Sequence, residues 1–290
     1  MSGAIAGAWT IRPVSVDHYE NFPVASVLCP PALRPAVTAI YHFARTADDI
    51  ADEGSATPAQ RLQDLAQYRA DLDAALAGRP DGGRWSPVFV PLARAVAAHG
   101  LPPRLLHDLL DAFEQDVRNP RYEDRAALLD YCRRSANPVG RLLLHLYSVQ
   151  DAESLRQSDA VCSALQLINF WQDLSRDLPN DRLYVPLQDA ARHGLDADML
   201  CARTETPAVQ ALVRELCTWA AALMHEGAPL ALRVPGRAGW ELRLVVQGGL
   251  RILEKIERMD HATLNTRPRL TALDALPLLW RAFRMREPKA

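Results

Sequence analysis

Lysine is almost missing from this chain. Of its 33 basic residues only Lys255 and Lys289 are lysines, and the rest are arginines. That bias reads as the codon usage of a GC-rich genome rather than as function. The 35 acidic residues are interspersed with the basic ones, for a net charge of −2, so there is no basic field for a nucleic-acid backbone to meet. Cysteine is sparse and odd in number, five in all, at Cys29, Cys132, Cys162, Cys201 and Cys217, with no CxxC spacing. That pattern argues against a disulfide framework or a zinc site, and reduced cytoplasmic thiols fit it better. Cys132 and Cys162 read as small buried apolar residues. The opening "MSGAIAGAWTIRPVSVDHYE" has no basic segment followed by a long apolar run, so no signal peptide is expected. No uncharged apolar stretch reaches about 18 residues, so no transmembrane helix is expected either. The expectation is a cytoplasmic protein, with peripheral contact at the inner membrane left open.

Strand-like alternation is also scarce, and glycine, at 14 residues, is too infrequent to suggest a sheet protein. What is present is helical periodicity. Apolar residues make up 49% of the 290, ample for a large core. Their spacing predicts helices near 34–53, 58–77, 87–98, 103–117, 124–135, 139–149, 155–178, 207–228, 237–258 and 270–284. Breaks fall at "GRPDGGRWSP", "GLPP", "RNP", "ANPVG", "DLPNDRLYVP" and "RVPG". With no internal repeat, low-complexity segment or long linker, residues 1–290 read as one all-α domain. "LTALDALPLLWRAF" (270–283) reads as a core helix in preference to a membrane-surface one.

Two of these helices end in acid. In "IYHFARTADDIADEG", Tyr41, Arg45, Asp48 and Asp52 fall at i, i+4, i+7 and i+11, within roughly 60° of one another on a helix, with Asp49 beside them. In "NFWQDLSRDLPNDRLYVP" and the residues before it, Gln166, Asn169, Asp173 and Asp177 fall at i, i+3, i+7 and i+11, within roughly 80°. The neighbours Leu165, Leu167, Ile168, Phe170 and Trp171 are apolar, so the polar stripe is narrow and enclosed. A single acidic helix end is usually a solvated terminus. Two of them, each with carboxylates one turn apart, are unfavourable against the helix dipole and suit a shared hard cation. Mg²⁺ takes one or two carboxylates together with substrate phosphates, which would relieve the unfavourable charge.

The residues "ADDIAD" and "NFWQDLSRD", followed by "DRLYVP", resemble the two aspartate-rich motifs of the squalene/phytoene synthase family. "YCRRSANPVGRLL" (131–143) resembles the segment between them, and the likeness runs from about His18 to Pro186. It implies an isoprenoid-synthase fold, a single helical domain around a central cavity, with Mg²⁺-dependent prenyl diphosphate chemistry. Within the family, "HYENFPVASVLCPPALRPAV" (18–37) and "SANPVG" are most similar to the hydroxysqualene synthases of bacterial hopanoid pathways. The implied substrates are then presqualene diphosphate and water, with no NADPH. Presqualene diphosphate, squalene and phytoene synthases are the alternatives within the family. A catalytically dead assembly factor is the non-enzyme alternative, and the retained aspartates count against it.

By the same resemblance, Asp48, Asp49 and Asp52, then Asn169, Asp173 and Asp177, are the metal-binding set. His18, Tyr41, Arg45, Gln166, Arg182 and Tyr184, with Asn169, line the diphosphate site. Tyr131 handles a proton, and Arg45 assists the leaving group. Gln172 stands where an arginine is common, which implies one fewer phosphate contact. Neighbouring enzymes of the squalene pathway are implied as partners. Plainer readings stand beside these: Tyr131 as a hydrogen-bonded core tyrosine, His18 as a loop histidine, and Arg45 as an intrahelical partner of Asp48 and Asp49.

Overall fold

The structure, a computed structural model, describes residues 29–286. His18 and the segment around it lie outside them. The described residues form thirteen α-helices and two 3₁₀ turns, with no strand. In order these are α1 (Arg34–Asp52), α2 (Pro58–Leu76), α3 (Ser86–His99), α4 (Pro103–Arg118), α5 (Arg125–Ser135), α6 (Asn137–Leu146), α7 (Ala152–Asp177), α8 (Leu187–Arg192), α9 (Ala197–Cys201), α10 (Pro207–Gly227), α11 (Leu230–Arg233), α12 (Gly236–Glu257) and α13 (Ala275–Arg284). The 3₁₀ turns are Leu178–Asn180 and Ala272–Asp274.

Local chemistry sets the ends. Thr57, Asp124, Asp151, Asp196 and Thr206 each accept a backbone N–H at a helix start, which satisfies a donor that the first turn leaves over. Gly100 and Asn119 close α3 and α4 in the left-handed conformation. The ten long helices expected from periodicity are all present. The additional α8, α9 and α11 are 6, 5 and 4 residues long, too short for a repeat to be read.

Two apolar cores carry the packing. One joins α1 to α4 through Ile40, Phe43, Leu65, Tyr68, Phe89, Leu106 and Leu110. The other surrounds α7 with Leu167, Trp171, Leu212, Leu216, Met224, Val246 and Ile256. Helix α6 packs on both α4 and α7. All five cysteines are free thiols, and Cys132 is buried, whereas Cys162 is only partly so.

The C-terminal helix departs from expectation. Only Ala282 of α13 is buried, so 270–284 is not a core helix. It packs on α12 and presents most of its apolar side chains outward.

Helix α7 runs along α10 with no room to spare where they meet at Gly227. A Cβ there would stand 2.5 Å from the Gln157 carbonyl oxygen and 2.8 Å from the Val161 nitrogen. Both are backbone atoms of α7 and cannot step aside. Gly227→Ala should therefore force the helices apart and cost about 1–3 kcal/mol, measured by urea denaturation. An unchanged midpoint would contradict this packing.

Candidate active site between two acidic helix ends

Burial alternates along α1 as the stripe requires. Ile40, Phe43, Ala47 and Ala51 are buried, while Tyr41, Arg45, Asp48 and Asp49 are half-buried and Asp52 is exposed. Helix α7 repeats this: Leu167, Ile168, Phe170, Trp171 and Leu174 are buried, and Gln166, Asn169, Asp173 and Asp177 are half-open between them. Each helix thus keeps its acid on one partly solvated strip beside a dry face.

Arginines meet that acid. Arg45 binds Asp48 at 2.9 Å, Asp49 at 2.7 Å and Glu53 at 2.7 Å, so its plainer reading as a partner within its own helix is realised. Arg182 makes a two-pronged pair with Asp52, at 2.9 and 2.5 Å, across 130 residues of sequence. Arg182 leaves the turn that ends α7. That turn is held in place from α4's side: Asn119 Nδ2 and Arg121 Nη1 donate to the Asp181 carbonyl at 2.7 and 2.8 Å, and Arg121 also pairs with the Asp181 carboxylate. The Arg182–Asp52 pair therefore joins the end of α1 to the end of α7. At Asp173 the cation is Arg267, from the irregular segment after α12, through Nε and through Nη2, the latter at 3.1 Å.

The arginines do not quench the site completely. Burial, and then repulsion from Asp52, pushes the Asp48 carboxyl up to about 6. Burial, and then repulsion from Asp173, pushes Asp177 up to about 7. Asp52 also acts on Asp177, so the two acidic ends share one field.

Beside them lies a group absent from the sequence expectation. Tyr131 is buried, and its hydroxyl donates to Asp116 Oδ2 at 3.0 Å. Burial raises Asp116 to about 7, against the lowering effect of the Tyr131 hydrogen bond. Tyr184 stacks on Phe170 at 3.8 Å, with Tyr122 and Tyr131 each 6.0 Å away. These rings wall the pair. Tyr184 sits within this aromatic wall, near Arg182 and Asp177. Tyr41 has its ring edge-on to His42 at 5.7 Å.

An apolar pocket lies farther along the same two helices. It encloses about 880 Å³, part of it open to solvent. Helix α1 contributes Val37; α6 contributes Val139 and Leu143; α7 contributes Val161 and Leu165; and α12 contributes Leu242, among others. Leu165 is eight residues before Asp173, or about 12 Å along the helix.

Gln172 is buried, and its Nε2 donates to the Pro268 carbonyl at 2.7 Å, which fixes the segment that carries Arg267. Asp116 had a legible signal. It follows the buried Leu109 and Ala112 at i+7 and i+4, an acid on an apolar helix face. Arg267 had none, being 94 residues from its partner. As for metal, no three His, Cys, Asp or Glu among the described residues stand close enough to share an ion. The donor set nonetheless fits a hard divalent cation: oxygen ligands only, with two carboxyls raised by their neighbours.

Asp116 gives a pH test. Its carboxyl titrates at about 7 rather than 3.8, so across that window the folded chain holds a proton that the unfolded chain has lost. Stability then falls as pH rises from about 4 to 7. Asp116→Asn removes the cost and can still accept from Tyr131. Its melting temperature should exceed the parent's by about 2–4 °C or more at pH 8, and the gap should close toward pH 4. A pH-independent difference would rule out the buried acid as its cause.

A profile of the squalene/phytoene synthase family matches residues 16–274. The hydroxysqualene synthase of Rhodopseudomonas palustris is 37% identical over 258 residues, 88% of this chain and 86% of that protein. The phytoene synthase of Thermus thermophilus is 30% identical over 92% of this chain and 89% of that one. The solved squalene synthase HpnC of Alicyclobacillus acidocaldarius aligns with a TM-score of 0.77 at 38% identity, covering 84% of this chain and 90% of that one. A dehydrosqualene synthase at 21% identity shares the fold, with a TM-score of 0.74. The all-α isoprenoid-synthase fold and the near full-length match agree: this chain belongs to the squalene/phytoene synthase family.

Proposed function

We propose that the chain is a hydroxysqualene synthase, which converts presqualene diphosphate and water to hydroxysqualene and diphosphate. One observation carries the reading: α1 and α7 run from an arginine-closed acidic end to an apolar pocket. A substrate with a diphosphate head and long apolar tails matches both ends at once. The similarity to the hydroxysqualene synthase of Rhodopseudomonas palustris along 86% of its length supports the choice within the family.

The residues divide the work. Asp48, Asp49 and Asp52, with Asn169, Asp173 and Asp177, would hold Mg²⁺, which when bound supplies positive charge to a departing diphosphate. Arg45, Arg182 and Arg267 exchange carboxylate partners for phosphate oxygens, with Tyr41 and Tyr184 beside them. As the carbon–oxygen bond breaks, the electron pair leaves with the diphosphate. The cyclopropylcarbinyl cation rearranges to a 1′–1-linked allylic cation between apolar and aromatic walls that exclude bulk water. One water adds, held by Gln166 and Asn169, and its proton is lost. Tyr131 Oη and Asp116 Oδ2 form the proton-handling pair, since a carboxyl titrating near 7 can take up a proton near neutral pH. The reading requires no nicotinamide.

A second reading, squalene synthase, is favoured by the similarity to the squalene synthase HpnC of Alicyclobacillus acidocaldarius. Product analysis separates the two. Presqualene diphosphate with Mg²⁺ should give hydroxysqualene without NADPH, carrying ¹⁸O when run in labelled water. Adding NADPH should not divert the product, and farnesyl diphosphate alone should give little. Squalene as the main product once NADPH is present, or an unlabelled alcohol, would overturn the assignment.

A further inference from the structure

The surface of α13 has no role in the site just described. Leu273, in the 3₁₀ turn just before it, and Leu276, Leu279, Trp280 and Phe283 on the helix are 88%, 79%, 51%, 59% and 67% exposed. They recur at three- and four-residue steps, so they form one stripe. Helix α12 extends it with Trp240, whose ring stacks on Phe283 at 6.3 Å. A contiguous apolar strip of this kind on a folded surface marks an interaction site.

The charge around it is one-sided. From Leu270 to Arg286 the single acid, Asp274, is buried and bound to Arg251 and Lys255. Glu254, beneath α13, is bound to Arg251 and Arg281. Arg284 lies over the Trp280 ring at 5.4 Å and Arg243 over Trp240 at 5.0 Å. Arg237, Arg269 and Arg286 are exposed nearby in sequence. Leucine and tryptophan flanked by arginine, with no exposed carboxylate in the segment, match the boundary between acyl chains and anionic headgroups. A second copy fits less well, because it would present the same arginine-flanked face with no exposed carboxylate from this segment to complement it. The other side of α12 lines the apolar pocket through Ala238, Leu242 and Val245, which puts that pocket one helix away from this surface.

We propose that the outer stripe of α13, together with Trp240, docks on a lipid bilayer bearing anionic headgroups. The inference rests on this surface and not on the reaction assigned above. Sedimentation of the full chain with phosphatidylcholine vesicles, with and without phosphatidylglycerol, tests it. Binding should require phosphatidylglycerol and weaken in high salt. Leu276→Glu with Trp280→Glu, both at exposed positions, should lower it by about tenfold or more while the melting temperature holds. Arg284→Glu should weaken binding to phosphatidylglycerol vesicles in particular. No binding to either vesicle would overturn the proposal, as would binding that survives the double substitution. So would a parent dimer, seen by light scattering, that the double substitution dissociates while vesicle binding is unchanged. That last result would assign the stripe to a second copy of the chain.

Discussion

Two helices of this protein end in carboxylates, where the backbone dipole is already negative, and the site is organised around supplying positive charge there. Arg45 does so within α1, Arg182 reaches Asp52 from the turn after α7, and Arg267 reaches Asp173 from beyond α12. Each arginine is placed by contacts of its own. Asn119 and Arg121 hold the turn before Arg182, and Gln172 holds the segment next to Arg267. The charges are partly exposed, so the pairs contribute modestly to stability. Their consequence is positional: they bring segments 94 and 130 residues apart in sequence to one field.

The same two helices separate head from tail. Their C-terminal halves carry acid, and their earlier turns, at Val37, Val161 and Leu165, line an apolar pocket. A diphosphate ester with hydrocarbon arms has that division of chemistry. Beside the acidic ends sit Asp116 and Tyr131, walled by Tyr122, Phe170 and Tyr184. A buried acid that titrates near neutrality is costly to the fold, and such costs concentrate where chemistry is done.

Much of this was legible in the sequence, because helices of this length repeat their pattern over several turns. The acidic stripes were legible for the same reason: Asp48 to Asp52 and Asp173 to Asp177 are neighbours by helix geometry alone. What could not be read was whatever depends on distant segments meeting. The periodicity of α13 told of an apolar face, but not that α12 would take only Ala282 from it. Asp173 read as a carboxylate awaiting a metal, while its partner Arg267 sits in a segment without period. The reading of Asp52 and Asp173 as charges set against the helix dipole took them as unpaired, whereas Arg182 and Arg267 pair with them.

The central claim is that both acidic ends serve one diphosphate. Calorimetric titration of inorganic pyrophosphate into the protein with Mg²⁺ tests it most directly. One pyrophosphate should bind per chain, and either Asp52→Asn on α1 or Asp173→Asn on α7 alone should remove most of that binding while each variant stays folded. Full binding retained by either variant, or two independent pyrophosphate sites each lost with its own helix, would contradict it.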